Sequence, residues 1–358
     1  MKLFCRGVWL IAGGILLLPL LASASSSPFS SNAGEWFAHS NCQILFPAQP
    51  VPNAIIHFCG GFLLGSGAPV AYNDLLTRLS ASGNLIIDTP IPLVDSNHAK
   101  VAKDISAAFT TCYRDDVLPM LGKRGNRVPV IGLSHSLGGK LMALVGSRRD
   151  DRRSAPLRAG NVYMAFNNYS FQESVAMSAR SSPDISKLLE SPSVKGAMKA
   201  VKTSGFGGLL ESVLGGSGVG GGSGGGGAEL FLQAAKQYLP LDEALQRATD
   251  AANAALEFEF NPSPQETWDL ISKGYGVDEN VLFKFQDDDL DMSDDLRAAL
   301  TRRGGCRITM QQLPGNHLTP TSSDDNFGRT LNAAINALAM NHAENFKSAL
   351  DNDRALPP

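Results

Sequence analysis

The chain has 358 residues, and its 31 lysines and arginines nearly balance 34 aspartates and glutamates, which leaves a net charge of −3. A chain of this length can bury a full hydrophobic core, as an α/β enzyme with an insertion does. A near-neutral chain without a basic block gives no reason to expect nucleic-acid binding. The densest basic run lies between Arg148 and Arg158, where Asp150 and Asp151 interrupt the arginines, and we expect it to form a solvated loop.

The first 24 residues have the pattern of a secretory signal peptide. Lys2 and Arg6 precede an apolar run over residues 8–21, and the small residues 22–24 (ASA) form a cleavage site. Two glycines and a proline interrupt the apolar run, so we expect no stable membrane span after processing. The leader predicts the secretory pathway or secretion, with import into a plastid by a two-step route as the alternative.

Cleavage of this leader would leave four cysteines, whose spacing does not fit a metal site. They could remain free thiols or form two disulfides, and the sequence does not choose among the pairings. The four are Cys42, Cys59, Cys112 and Cys306.

Residues 25–35 are polar and predict a linker, and residues 36–170 predict the first part of an α/β core. Short apolar runs in this part alternate with segments of helical spacing, which favours a mostly parallel sheet with helices on both faces. A first hairpin is predicted within residues 36–47. The buried strands of this part are predicted over residues 54–58, 85–88, 128–133 and 161–166.

The pattern changes over residues 171–274, where the composition is helical and no strand is evident. A helical insertion after a sheet strand is where a hydrolase cap would lie, so we predict a cap here. Its glycine tract, residues 215–227, has no side chains to bury and predicts a flexible linker. The second part of the core is predicted over residues 275–350, with strands over 281–285 and 307–313 and a closing helix over 326–350.

The segment VPVIGLSHSLGG, residues 128–139, carries the strongest functional signal. A buried strand, a tight turn and a helix in succession are the context of a nucleophile elbow. Because the turn is sharp, the residues two before and two after the nucleophile must be small. Ser136 meets this condition with Ser134 and Gly138. Ser134 is the rival nucleophile, but only Ser136 has glycines two and three positions on, where the helix packs closely on the strand.

A serine nucleophile needs a base to take its proton and a carboxylate to orient that base, in the chain order Ser, Asp, His on α/β-hydrolase folds. His317 lies in a tight turn after the last predicted strand, so we predict it to be the base. Asp288 is the favoured acid because Leu290 follows it closely and can anchor the turn. Asp289 is the near alternative, and Asp291 fits the start of a helix better.

Two backbone N–H groups should bind the oxyanion that develops during acyl transfer. Leu137, directly after the nucleophile, is predicted to supply one. The loop HFCGGF, residues 57–62, is predicted to supply the other from Phe62, with Gly61 as the alternative, whereas His57 lies inside a strand and is predicted to be structural. The sequence contains no phosphate-binding loop, dinucleotide fingerprint or HExxH motif, so we expect no cofactor and no metal ion.

Several segments in order along the mature chain carry a resemblance to a known family. They are Trp36 with Pro47, HFCGGFLLGSGAP (57–69), GLSHSLGGKL (132–141), RAGNVYMAFNNYSF (158–171), FEFNPSPQETWDLI (258–271), FQDDDLDMS (285–293) and GNHLTP (315–320). The chain resembles an uncharacterised α/β-hydrolase-like family of plants, algae and cyanobacteria, catalogued as domain of unknown function 1350. The resemblance implies acids at Asp288 and Asp291, which supports Asp288 over Asp289. It also implies that Asn167 and Asn168 shape the site.

The sequence therefore predicts an α/β-hydrolase fold with a helical cap. The predicted activity is that of a serine hydrolase, which cleaves a carboxylic ester or thioester through an acyl-enzyme. The expected partner is a small-molecule or lipid-like acyl substrate, which the resemblance does not identify. Two alternatives stay open: a catalytically inactive binding or scaffold protein on the same fold, and an acyltransferase that uses the same three side chains.

Overall fold

The structure is a computed structural model, and it describes residues 33–39, 41–62, 64–92, 95–148, 156–170, 173 and 259–354. The predicted signal peptide and most of the predicted linker lie outside the described residues, as do the glycine tract 215–227 and nearly all of the predicted cap. Within the described ranges, no helix has the length and the apolar character needed to cross a membrane.

The core of the protein is a single sheet of eight strands. They are β1 (Trp36–His39), β2 (Cys42–Leu45), β3 (Ile55–Cys59), β4 (Leu85–Asp88), β5 (Val130–His135), β6 (Arg158–Met164), β7 (Glu279–Asp287) and β8 (Arg307–Asn316). Their order across the sheet is β1-β2-β4-β3-β5-β6-β7-β8. Strand β2 runs antiparallel to β1 and β4, and the other neighbouring pairs are parallel.

Helices cover both faces of this sheet. They are α1 (Ala68–Ala71), α2 (Asn73–Ala81), α3 (His98–Cys112), α4 (Leu118–Leu121), α5 (Leu137–Ser147), α6 (Pro264–Gly274), α7 (Ser293–Arg303) and α8 (Asp325–Arg354). Buried residues of α2 and α8 share one hydrophobic cluster with the sheet, and those of α3, α5, α6 and α7 share the clusters on the opposite face. The predicted mostly parallel sheet with helices on both faces is confirmed.

The parallel strands decide where a site can form. Every residue of β3, β4 and β5 is buried, as expected for strands that are covered on both faces. Because β3, β5, β6, β7 and β8 are parallel, the loops that follow them meet at one edge of the sheet. We call it the carboxyl edge. Open α/β sheets bind their ligands at this edge.

Helix α6 differs from the prediction, which placed residues 171–274 in a cap. Ser263 and Glu266 form a capping box at the start of the helix, and Ile271 is buried in the same hydrophobic cluster as α5. The helix therefore belongs to the layer that covers the sheet. The sequence did not reveal this, because a helix has the same amphipathic pattern whether it packs on a sheet or in a cap.

Arg158 also differs from the prediction, which placed it in a solvated loop. It is the first residue of β6, and its Nη2 donates to His57 Nδ1 at 2.6 Å. Burial lowers the pKa of the Arg158 guanidinium to about 10. His57 Nε2 lies 2.8 Å from Thr89 Oγ1, so this histidine links β3 to the residue that follows β4 and, through Arg158, to β6. The mixed charges of residues 148–158 suggested a loop, but they did not show that β6 begins at the last of these residues.

The four cysteines are free thiols in the structure. Cys42 and Cys112 lie in one buried cluster between the sheet and α3, and the Cys42 thiol donates to His39 O at 3.3 Å. Cys59 is fully buried at the end of β3, where burial raises the pKa of its thiol.

Helix α5 approaches the carboxyl end of β3 closely at Gly138. A Cβ at this position would overlap the carbonyl oxygens of Cys59 and Gly60. Both oxygens belong to backbone in or next to a buried strand, so they cannot turn aside as a flexible side chain could. The absence of a side chain at Gly138 is therefore what lets the helix begin directly over the sheet.

We expect Gly138→Ala to lower the free energy of unfolding by about 1–3 kcal/mol, because an inserted methyl group strains a packed core. Urea denaturation followed by circular dichroism measures this. Gly328→Ala is the matched control in α8, because its Cβ would meet Arg78 Cδ at an ordinary 3.7 Å. The control should gain about 0.5–1 kcal/mol from helix propensity. Equal midpoints for wild type and Gly138→Ala would contradict the packing argument.

Candidate active site

Ser136 occupies the sharp turn between β5 and α5. Its backbone has φ 54° and ψ −124°, which an L-residue with a side chain rarely adopts. Such a conformation costs about 1–3 kcal/mol and is held by its surroundings. Here the Ser136 N–H donates to Met164 O at 3.0 Å, and the Gly139 N–H donates to Ser136 O at 2.8 Å. A strained serine between a strand and a helix is the geometry of a nucleophile elbow.

The rival serine, Ser134, points elsewhere. It is fully buried within β5, and its Oγ donates to Val162 O at 3.3 Å. Ser136 Oγ, in contrast, lies 2.8 Å from His317 Nε2. The structure thus brings Ser136, and not Ser134, to the histidine that the sequence singled out.

His317 follows β8 directly and contacts an acid as well as the serine. Its Nδ1 lies 3.0 Å from Oδ1 and 2.9 Å from Oδ2 of Asp288. The Asp288 side chain has no exposed surface, and the Leu290 N–H donates to its Oδ1 at 2.9 Å. A buried carboxyl group with a backbone donor is fixed in orientation. It can therefore hold the imidazole ring in a fixed orientation too.

The neighbouring acids of this turn take other positions. Asp287 and Asp289 are exposed. Asp291 accepts hydrogen bonds from the Ser293 N–H at 2.8 Å and from Ser293 Oγ at 3.0 Å, at the start of α7. Burial raises the pKa of Asp291 to about 6. Of the four acids in this turn, Asp288 is the one that hydrogen bonds to His317.

The donors and acceptors in this row fit one arrangement of protons. The Asp288 carboxylate only accepts, so His317 Nδ1 carries the proton of that hydrogen bond. Nε2 of the neutral ring then has a free lone pair and accepts the hydroxyl proton of Ser136. Any further group on Ser136 Oγ must therefore donate to it. This arrangement is the one from which a serine can attack with a histidine as base.

Asn167 is that further group. Its Nδ2 lies 2.9 Å from Ser136 Oγ. The residue follows β6 at the carboxyl edge of the sheet, beside the elbow. Residue-level reasoning did not assign it a role, and the family resemblance alone pointed to it. Its place in the sequence could have identified it, because an asparagine directly after a buried strand lies at the edge of the sheet where the other site residues lie.

A second row of hydrogen bonds lies beside the first. The Gly61 N–H donates to Tyr72 Oη at 2.8 Å, Tyr72 Oη lies 2.7 Å from His135 Nδ1, and His135 Nε2 lies 2.8 Å from His317 O. A carbonyl only accepts, so His135 is protonated on Nε2 and accepts the Tyr72 proton on Nδ1. Burial lowers the pKa of His135 to about 3, which keeps the ring neutral. The row ties the loop after β3 to the turn after β8.

This second row bears on the predicted oxyanion donors. The Gly61 N–H is already bonded to Tyr72, whereas the Phe62 N–H has no acceptor among the described residues. Leu137 is the first residue of α5, so its N–H has no partner within the helix. The loop lies against the elbow, because a Cβ on Gly61 would be 3.1 Å from Ser136 Cβ. The geometry therefore favours Phe62 over Gly61.

A family profile matches residues 35–203 and 229–340, and its family is described as "protein of unknown function (DUF1350)". The chain belongs to this family. The matched ranges contain Ser136, Asp288 and His317. No curated protein matches the sequence.

Solved structures that are similar to the chain include three esterases. A thermostable esterase from Pseudomonas putida ECU1011 is 15% identical, with 86% of this chain and 81% of that chain covered and a TM-score of 0.46. A carboxylesterase structure from the thaumarchaeon Nitrososphaera gargenis has 13% identity, coverage of 86% and 99%, and a TM-score of 0.47. Esterase B from Lactobacillus rhamnosis has 13% identity, coverage of 89% for both chains, and a TM-score of 0.49. These similarities are weak, and the predicted α/β-hydrolase fold is confirmed by the molecule itself: its eight-stranded sheet is mostly parallel, Ser136 lies between β5 and α5, Asp288 follows β7 and His317 follows β8.

Loss of the Tyr72 hydroxyl should disrupt the second row. We expect Tyr72→Phe to lower the free energy of unfolding by about 1–3 kcal/mol, because Gly61 N–H and His135 Nδ1 each lose a buried partner. Thermal and urea unfolding would measure it. Tyr113→Phe is the control, since that half-buried hydroxyl has no hydrogen bond to the described residues. If both variants unfold at the same urea concentration, the row does not stabilise the fold.

Proposed function

We propose that the protein is a serine hydrolase that cleaves a carboxylic ester or thioester through an acyl-enzyme. The observation that carries the proposal is the unbroken row from Asp288 through His317 to Ser136, with 2.8 Å between His317 Nε2 and Ser136 Oγ. The hydrogen-bond reach of a base and its nucleophile is about 2.6–3.2 Å. A binding protein on this fold would have no need of a strained serine within reach of an oriented base.

Acylation begins at Ser136 Oγ. An electron pair of this oxygen forms a bond to the substrate carbonyl carbon while the hydroxyl proton passes to His317 Nε2. Asp288 accepts the Nδ1–H throughout and stabilises the imidazolium. The carbonyl oxygen becomes an oxyanion, to which the N–H groups of Leu137 and Phe62 donate.

The tetrahedral intermediate then releases the alcohol or thiol. His317 gives the leaving group the proton held on Nε2, and the acyl group stays esterified to Ser136. Water attacks this ester with His317 as base. When the second intermediate collapses, the bond from the acyl carbon to Oγ breaks, the carboxylic acid is released, and His317 returns the proton to Ser136 Oγ. His135 lies beside His317 with a ring-centroid distance of 5.0 Å, yet burial lowers its pKa to about 3 and it does not compete for the proton.

Apolar side chains next to the site favour an apolar acyl group. Phe62 carries the proposed oxyanion donor and Leu318 follows His317, and each side chain is 37% exposed. Large apolar side chains that are exposed beside a site can bind the apolar part of a ligand. We therefore propose that Phe62 and Leu318 contact the acyl chain of a small-molecule or lipid-like substrate.

A fluorophosphonate probe, which reacts with activated serines, tests the mechanism directly. We expect wild-type protein to be labelled and Ser136→Ala to lose the label. Ser134→Ala should keep it, because the Ser134 hydroxyl bonds to Val162 O instead of to the histidine. An unlabelled wild type, or equal labelling of Ser136→Ala, would show that the mechanism is wrong. Product analysis with an alcohol acceptor present then separates hydrolysis from acyl transfer.

A series of p-nitrophenyl esters from acetate to dodecanoate tests the acyl preference. We expect Leu318→Ser to lower kcat/KM about tenfold for long chains, because each buried methylene contributes about 0.8 kcal/mol, and to change acetate little. Leu157→Ser is the control, since Leu157 is 80% exposed and precedes β6 at the opposite edge of the sheet. A loss that is the same for every chain length would contradict contact with the acyl chain.

A further inference from the structure

Asn167 touches the reacting oxygen of the proposed mechanism. We propose that Asn167 is a further catalytic residue, whose Nδ2–H stabilises the negative charge that Ser136 Oγ carries as it attacks and as it leaves. The distance from Nδ2 to Oγ is 2.9 Å. This inference rests on the proposed function, because the charge on Oγ arises only if Ser136 is the nucleophile.

The direction of this hydrogen bond follows from the rest of the row. Ser136 has one hydroxyl proton, and His317 Nε2, whose Nδ1 is bonded to Asp288, accepts it at 2.8 Å. Ser136 Oγ can then only accept from Asn167. The side-chain amide must therefore present its nitrogen, which is a donor, and not its oxygen. A donor on this oxygen makes the hydroxyl a stronger acid toward the base.

Asn167 acts on a different atom from the oxyanion donors. In the sheet, β5 lies between β3 and β6, so the elbow has the Phe62 loop on one side and Asn167 on the other. The Leu137 and Phe62 N–H groups are assigned to the carbonyl oxygen of the substrate. Asn167 is hydrogen bonded to the serine oxygen, which is the atom that forms the new bond to the carbonyl carbon.

The segment that carries Asn167 is fixed before any substrate binds. Ala165 has a positive φ of 48°. Among the described residues, Ser136 is the other non-glycine residue with a positive φ. The Met292 N–H donates to Phe166 O at 2.7 Å, and Asn168 Nδ2 donates to Pro264 O at 2.9 Å. Strained backbone that its surroundings hold in place is typical of functional sites. The amide is thus pre-oriented toward the serine.

The hydrogen bond is stronger in the transition states than in the states between them. Before attack, Oγ is a neutral hydroxyl oxygen, and in the acyl-enzyme it is an ester oxygen, which is a weak acceptor. As the proton passes to His317 and the new C–O bond forms, Oγ carries negative charge. The same charge returns when that bond breaks during deacylation. An interaction that strengthens only there raises kcat and leaves KM nearly unchanged.

The test compares Asn167→Ala with Asn167→Asp by steady-state ester hydrolysis and by the rate of fluorophosphonate labelling. We expect Asn167→Ala to lower kcat and the labelling rate about 10- to 100-fold with KM within about twofold, the effect of one hydrogen bond to a charged group. Asn167→Asp should be lower still, because its carboxylate would accept the Ser136 hydroxyl proton and draw it away from His317. Asn53→Ala, next to the start of β3 at the opposite edge, is the control and should match wild type.

The two variants separate catalysis from packing. If Asn167 only fills space, the isosteric Asn167→Asp retains more activity than Asn167→Ala, and that order would overturn the inference. Labelling of Asn167→Ala at the wild-type rate would also overturn it, while leaving Ser136 as nucleophile intact. Failure of the wild type to label would instead remove the proposed function itself. Near-ultraviolet circular dichroism checks that each variant is folded.

Discussion

The left-handed backbone of Ser136 is the constraint on which the site depends. A positive φ turns the chain from β5 into α5 within one residue and leaves the serine side chain at the carboxyl edge. That turn forces α5 against the end of β3, which is why Gly138 can have no side chain. It also places Oγ between the loops after β3, β6 and β8. The strain is offset by the hydrogen bonds of the Ser136 and Gly139 backbone.

Two rows of hydrogen bonds meet at His317, and they differ in charge. In the row through Asp288 and Ser136, a proton can move. In the row from Gly61 through Tyr72 to His135, the groups stay neutral, because burial holds the pKa of His135 at about 3 and raises that of Tyr72. Because His135 stays neutral, the neutral row takes no part in the proton transfer at His317. Asp288 orients the His317 ring, and the neutral row holds the His317 backbone.

The strands were predictable from the sequence because buried parallel strands are continuous apolar runs. Strand β4, Leu85–Asp88, has the bounds that its sequence predicts, and β3 and β5 differ by one or two residues. The prediction was wrong where the sequence pattern of a segment does not indicate whether the segment is buried or what it packs against. Arg158 belongs to a charged run yet begins a buried strand, and α6 has the pattern of any amphipathic helix yet packs beside α5. Whether such a segment is buried in the sheet, packed on it or exposed depends on the residues that contact it, and not on its own sequence pattern.

The sequence by itself determined the types and the order of the site residues, because those depend on local constraints. A serine among small residues after an apolar run and a histidine after the last strand can be found without knowing any distance. Only the tertiary structure decided that Asn167 reaches Ser136, and that Tyr72 occupies the N–H of Gly61. Asn167 and Ser136 follow neighbouring strands, so their contact depends on the order of strands in the sheet, whereas the contact of Tyr72 with Gly61 depends on how the segment after β3 folds back on itself. Strand order is a property of packing, which no single segment encodes.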